Sequence, residues 1–360
     1  MMDKAFVIYH YPHACEYTVM CQNNGKPETL NSYNELENKS GFVFAPFKVT
    51  SGSPIMLLKP DSIKHHTVNT EVDFTENSFE ERDLDRERQK YRHIFRQFHN
   101  RIINGQFKKI VLSRISIEQS VSEIDPIKLF HRACILYPRM FTALVSMPQC
   151  GTWLMATPEI LVESIEDRWH TMSVAGTIHI DEKDTDENLA LRKQTGDINE
   201  WNSKNIQEQA YVSQYISNCL QQHNGINIEK NGPYTLRAGM IKHLATDFTF
   251  NIADNCTIGQ IINELHPTPA VCGIPKAEAY KYILENEGYE RKYYSGFSGV
   301  INCDEGTHLY VTLRCMQIEK QKCTLYSGGG LLADSEENNE WQETEIKMET
   351  MRRCLVIKRM

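Results

Sequence analysis

The chain has 360 residues, 41% of them hydrophobic and 24% charged, with a formal net charge of −8 at pH 7. This is globular composition, long enough for one large domain or two ordinary ones with a sizeable core. The negative balance excludes a general attraction to nucleic acid or to an anionic membrane, and no run of about 18 apolar residues offers a membrane span.

The opening run "MMDKAFVIYHYPHACEY" is too polar for a secretory signal, so a cytoplasmic protein is expected. Eleven cysteines, an odd number without a C-x-x-C pair, read as reduced thiols; Cys134, Cys219 and Cys315 lie in apolar contexts that suit small core residues. Residues 1 to about 75 read as short strands and turns, including "FVFAPF" and "PIMLLKP". Ser78 and Glu81 have capping-box spacing and open a charged helix with the stripe Leu84, Tyr91, Phe95, Phe98 and Ile102, ending at Asn104-Gly105. "KKIVLSRISIE" and "TWLMATPEILVES" read as two strands separated by a helix over about 127–137, and "WHTMSVAGT" as a third.

A long helical segment is expected from about 186 to 222. Trp201, Lys204, Val212, Tyr215 and Cys219 mark one face of it, and Glu208 falls in the middle of that stripe. A carboxylate there must be paired, neutralised or bound to a cation, because an isolated buried charge is very expensive. After "HLATDFTFNIA" a proline-rich loop, "HPTPAVCGIPK", runs into another helix. The C-terminal part reads as strands with turns at Asp304-Glu305-Gly306 and Lys320-Gln321. Within it the alternation of "HLYVTLRC" puts His308, Tyr310, Thr312 and Arg314 on one face.

"SGGGLLADSEENNEWQETEIK" closes the series. As a helix from about Ser335 it places Glu336, Glu340, Glu343 and Lys347 on one face, with Trp341, Thr344, Met348 and Leu355 on the adjoining face. Gly328, Gly329 and Gly330 let a ligand approach backbone N–H groups, although a tight turn would use glycines as well. Carboxylates from two distant helices can converge on a hard cation such as Mg²⁺, and a salt bridge from Glu208 to a core-facing lysine or arginine is the alternative. Strand and helix runs without a strict βαβ alternation favour an α+β fold with antiparallel sheet.

Eight segments, in order, resemble the chorismate-utilising enzyme family, and its isochorismate synthase branch in particular. They are "KIVLSR" (109–114), "TPE" (157–159), "VAGT" (174–177), "HLAT" (243–246), "HPTPAVCGIPK" (266–276), "YYSGFSG" (293–299), "VTLRC" (311–315) and "SGGG…EWQETEIK". The resemblance covers about residues 80–357; residues 1–79 match loosely and are expected to be a variable part of the same domain, with 80–360 as the catalytic region. It implies the aminodeoxychorismate-synthase fold, two related halves with antiparallel sheets and flanking helices around a central cleft. It further implies Mg²⁺ held by Glu208 and Glu343 with Glu340 nearby, and chorismate gripped by Tyr294, Arg314, Lys347 and the 328–330 backbone. Gly176, Thr177 and His243 match the cleft lining.

In the same comparison Lys109 matches the general base of the water-using members and Glu159 the general acid that protonates the leaving C4 hydroxyl. Ala175 stands where amine-using relatives often carry a nucleophilic lysine, and no glutamine amidotransferase subunit is expected. Around the metal glutamate this chain reads "KNIQEQ" where the family commonly has "KDRHEH". Salicylate synthases share the acid and the base, but the "HPTPAV" loop favours the isochorismate branch. Whether the product feeds menaquinone or a catechol siderophore is open at this level.

Overall fold

Pro158 and Arg314 mark two of the places where the chain passes from one large antiparallel sheet to the other, and the site is built around these two crossings. The computed structural model describes residues 5–69, 71–165, 168–179, 198, 200–222, 225–238, 241–253 and 256–360. The first part of the chain gives β1 (Ala5–His10), β2 (Glu16–Gln22), β3 (Glu28–Leu30), β4 (Gly41–Ala45), β5 (Ile55–Leu58), β6 (Ser62–Thr67) and β7 (Asn77–Phe79). Then come α1 (Leu84–Ile103), β8 (Lys109–Gln119), α2 (Pro126–Leu136), β9 (Phe141–Met147), β10 (Gly151–Thr157), β11 (Ile160–Ile165) and β12 (Arg168–His179). These are followed by α3 (Ser203–Gln222), β13 (Gly225–Ala238), β14 (Ile241–Ile252), α4 (Ile258–Leu265), β15 (Gly273–Ile274) and α5 (Lys276–Asn286). The chain closes with β16 (Phe297–Cys303), β17 (Gly306–Val311), β18 (Cys315–Glu319), β19 (Lys322–Leu331), α6 (Glu337–Leu355) and β20 (Ile357–Arg359).

One nine-stranded sheet runs β15-β8-β19-β18-β10-β9-β1-β2-β6 and the other β13-β14-β12-β11-β17-β16-β4-β5-β3. The N-terminal strands therefore enter both sheets. Val7, Tyr9, Trp153 and Tyr326 from the first and Phe42, Phe44, Val300 and Tyr310 from the second share one core. α3 and α4 pack on the second sheet through Val212, Ile216, Ile261 and Ile262. α2 and α6 cover the first sheet through Leu129, Ala133, Met348 and Met351, and α1 and α5 cover it through Phe98 and Ile283. The result is an α+β molecule with helices outside two packed sheets, the layering that apolar stripes on helices and two-sided strands require.

Several readings of the sequence are corrected. "TWLMATPEILVES" is not one strand: β10 belongs to the first sheet and β11 to the second, with Pro158-Glu159 between them. "HLYVTLRC" divides likewise between β17 and β18, and Arg314 takes a left-handed φ of 45°. The helix expected from the Ser78–Glu81 box is capped by Asp83, whose side chain accepts from the Arg86 N–H, while Ser78 lies in β7. Leu84 is half exposed, so the buried stripe begins at Tyr91. The 186–222 segment is helical over 203–222; residues 180–197 and 199 lie outside the described residues. All eleven cysteines are free thiols. Among the described residues no helix is long and apolar enough to cross a membrane.

Across β12, β11 and β14, His170 is held between two carboxylates, with Nδ1 2.9 Å from Glu163 and Nε2 3.0 Å from Asp247. Burial works against its charge, but the two carboxylates prevail and raise its pKa to about 9. A group whose folded pKa is raised stabilises the fold fully below its unfolded value, near 6.5, and loses that contribution as pH climbs through about 9. His170→Gln is thus expected to cost roughly 1–2 kcal/mol of stability at pH 6 and almost nothing above pH 9. Melting curves of both proteins across that range check it; a pH-independent difference would contradict the charged histidine.

Candidate active site

Both sheet crossings are stitched together by the backbone. The Val311 N–H donates to the Glu159 carbonyl (2.9 Å) and the Ala156 N–H to the Arg314 carbonyl (3.2 Å). Glu159 and Arg314 therefore come to one spot from turns more than 150 positions apart in the chain. Burial, opposed by Lys109, Lys347 and Arg314, raises the Glu159 pKa to about 8, so this carboxyl keeps its proton at neutral pH. Burial also brings Arg314 down to about 10, which leaves it charged. His243 bonds the Gly176 carbonyl through Nδ1 at 2.6 Å and Arg314 through Nε2. A carbonyl only accepts, so Nδ1 carries the hydrogen and Nε2 accepts from the guanidinium. Burial first, and then Arg314 and Lys347, hold His243 well below its ordinary pKa and keep it neutral.

The second cluster starts from an irregularity in β12, whose register with β14 shifts between Ala175 and Ile178. Gly176 takes φ 70° there, and a β-carbon on it would lie 3.0 Å from Cβ of Asn205. This bulge turns Gly176 toward α3, where its N–H donates to Glu208 Oε2 at 3.1 Å. Glu208 Oε1 lies 2.9 Å from Nζ of Lys109, which is fully buried at the start of β8. Burial disfavours the Glu208 charge, but Lys109, Lys347 and Lys204 overcome this and lower its pKa. The carboxylate in the apolar stripe of α3 is thus ion-paired, and its partner is the lysine of the "KIVLSR" segment. That lysine makes no well-aligned hydrogen bond among the described residues.

Opposite stands α6, which carries Glu340, Glu343 and Lys347 of the face read from the sequence; Glu336, expected on that face, is instead the extended, exposed N-cap residue, because the helix starts at Glu337. Lys347 Nζ lies 2.7 Å from Glu343 Oε1 and donates to the Gly328 carbonyl at 3.0 Å. Glu343 Oε1 also accepts from the Thr177 hydroxyl at 3.4 Å. Glu340, almost fully buried, pairs with Lys204 of α3, and burial together with the Glu343 charge raises its pKa. The rotation of α6 is fixed from behind by Arg114, which stacks 3.8 Å over the Trp341 ring and donates to Thr344 Oγ1 at 2.7 Å. The glycine run leaves room for these groups. A β-carbon on Gly330 would lie 2.1 Å from Glu208 Oε1, and one on Gly329 would lie 2.9 Å from Glu340 Oε2.

Eleven of the expected residues line one cleft, whose empty space including its mouth is about 670 Å³, inside the roughly 300–1,000 Å³ of small-molecule sites. Glu159, Arg314 and His243 sit at its crossing end; Gly176, Thr177, Glu208, Glu343 and Lys347 form its charged side; Gly328, Gly330 and Tyr294 form the remaining wall. Lys109, Gly329 and Glu340 stand behind that lining. Val174, Leu313, Tyr326 and Ser327 also line the cleft and were not singled out from the sequence. The last two directly precede the glycine run, which was the available signal. The carboxylates of Glu208, Glu343 and Glu340 are hard oxygen donors suited in kind to a small dication. Here each belongs to a separate lysine pair, and among the described residues no three acidic, His or Cys side chains form a ready-made metal cluster.

A family model described as chorismate binding enzyme matches residues 55–356. Among curated relatives, the isochorismate synthase EntC of Escherichia coli (strain K12) is 27% identical over 246 residues, covering 68% of this chain and 62% of that protein. The chain thus spans under two thirds of that relative's length. Among solved structures, a 2,3-dihydroxybenzoate-specific isochorismate synthase from Bacillus anthracis superposes with TM-score 0.79 at 22% identity, covering 98% of this chain and 96% of the other. The menaquinone-specific isochorismate synthase MenF of Escherichia coli gives TM-score 0.80 at 19% identity, covering 99% and 89%. These structural likenesses establish the fold.

Proposed function

The chain belongs to the chorismate binding enzymes, and from that premise we propose that it converts chorismate to isochorismate by adding water at C2 with loss of the C4 hydroxyl. The observation that carries this reading is Glu159, a carboxyl with its pKa raised to about 8 that lines the same cleft as Glu208, behind which Lys109 is paired.

Arg314, a buried cation braced by a neutral His243, would hold one substrate carboxylate and fix the ring. Lys109 takes a proton from water as its oxygen bonds to C2, the ring diene shifts, and the C4–O bond breaks as Glu159 supplies the proton that lets the hydroxyl leave as water. One water enters and one departs, so no oxidant or amine is required. To act as base Lys109 has to leave its ion pair with Glu208. Glu208 and Glu343, with Glu340 beside them, would hold Mg²⁺, whose chemistry is to neutralise and polarise a substrate carboxylate. For that the lysine partners of the carboxylates must give way.

The reading is tested by incubating the protein with chorismate and Mg²⁺ without ammonia and separating the products. Isochorismate is expected as the main product. Salicylate and pyruvate as main products would move the chain to the pyruvate-eliminating branch, and unchanged chorismate would refute the reaction. Relatives specific for both 2,3-dihydroxybenzoate and menaquinone share the fold, so the geometry speaks to the reaction and not to the pathway.

A further inference from the structure

Ser327 is a polar side chain whose hydroxyl is left over among the described residues. It is 3% exposed, it lines the cleft, and its hydroxyl has no hydrogen-bond partner among the described residues. A buried hydroxyl left unpaired is expensive and calls for an explanation. Across β8 Ser327 pairs with Arg114, whose donors are spent on Thr344, Glu87 and Glu345. On the other side Cys315 pairs with Tyr326 in the β18–β19 ladder. Arg314 directly precedes Cys315, just outside β18 at a left-handed φ of 45°, and lines the same cleft as Ser327. Arg314 gives Nη2 to His243, while Nη1 is buried and has no partner among the described residues.

Two donors without partners among the described residues, a hydroxyl and a guanidinium N–H, thus belong to residues that line one cleft. A carboxylate offers about four lone-pair sites and takes both at once, whereas a neutral hydroxyl ligand satisfies them less well. We propose that Ser327 is a substrate-binding residue, its hydroxyl donating to the carboxylate that Arg314 grips. This inference rests on the chorismate reading above. The bland rival is that Ser327 serves as an acceptor for Arg314 Nη1 and merely steadies it.

Ser327→Ala separates the two. The purified full chain and the variant are compared for the dissociation constant of chorismate, read from ligand-induced melting shifts, for kcat and KM, and for melting without ligand. Loss of a hydrogen bond to a charged acceptor is expected to weaken chorismate binding and raise KM by about 10-fold or more, with kcat within about 3-fold. The ligand-free variant is expected to melt no lower than the wild type, because a hydroxyl without a partner is removed. Ser327→Thr, which keeps the hydroxyl, recovers most of the affinity. Unchanged affinity in Ser327→Ala would overturn the proposal, and so would a ligand-free melting point several degrees lower, since that marks a structural hydrogen bond. Binding is read apart from turnover. A wild-type chain that binds chorismate without isomerising it therefore sinks the reaction and leaves the comparison at Ser327 decisive; one that does not bind it overturns both.

Discussion

Glu159→Gln is expected to lower kcat on chorismate by about 10²-fold or more while leaving KM within a few-fold, the signature of a group that acts in the transition state. The amide keeps the shape and loses the proton. In the wild type, burial has raised the pKa to about 8, so activity that depends on the acid falls as pH rises through that value, and the variant loses this limb of the profile. The stability sign runs the other way from a salt-bridged carboxylate. Between about 4.5 and about 8 the native state retains a proton that the unfolded chain has released, so the wild type loses stability with rising pH across that window. Glu159→Gln has no charge to bury and is expected to melt at or above the wild type at pH 8.

Lys109→Gln is expected to match that loss of turnover and to differ in stability. It strands Glu208, which is buried beside the fully buried lysine, and breaking such a pair from one side costs about 3 kcal/mol or more. The two variants therefore share a kinetic phenotype and part in melting temperature. Turnover within a few-fold of wild type at both positions would end the acid–base assignment.

The parts of this site that were legible in the sequence are those set by local periodicity. The face of α6 that carries Glu340, Glu343 and Lys347 follows from helical spacing alone, and Glu208 stood out because a carboxylate interrupted an apolar stripe. The sheet crossings were not legible as such. The strands on either side, β10 and β11 around Pro158 and β17 and β18 around Thr312, all carry buried apolar residues, so the hydrophobic pattern runs on past the point where the chain changes sheet, and only the proline and the left-handed Arg314 mark it. The helix α4 was passed over although Thr257 and Gln260 form its capping box. The pairing of Lys204 with Glu340 depends on how closely α3 and α6 approach, and no local pattern encodes that distance. The Lys109–Glu208 pair falls between these cases. Each residue was marked separately, but the strain of burying each alone is relieved only when β8 and α3 meet.

That pairing of acids with lysines also orders the effects expected on cation binding. Glu208→Gln and Glu343→Gln should each reduce turnover of chorismate to background, and excess EDTA should do the same to the wild type, because one charged oxygen donor is lost from a set suited to a hard dication. Glu340→Gln is expected to be milder. Its carboxyl is tied to Lys204, and burial and the neighbouring Glu343 raise its pKa, so it is the weakest donor of the three at neutral pH. Binding of Mn²⁺ in place of Mg²⁺, followed by electron paramagnetic resonance without substrate, gives a reading independent of turnover. The affinity should fall most for Glu208→Gln and Glu343→Gln. It should rise for Lys204→Met, where Glu340 no longer has an internal cation to satisfy it. Competition between lysine and metal for the same oxygens requires that rise. Full activity in excess EDTA would remove the metal from the mechanism, and Mn²⁺ binding that weakens in Lys204→Met would show that the lysine supports the cation site instead of competing with it.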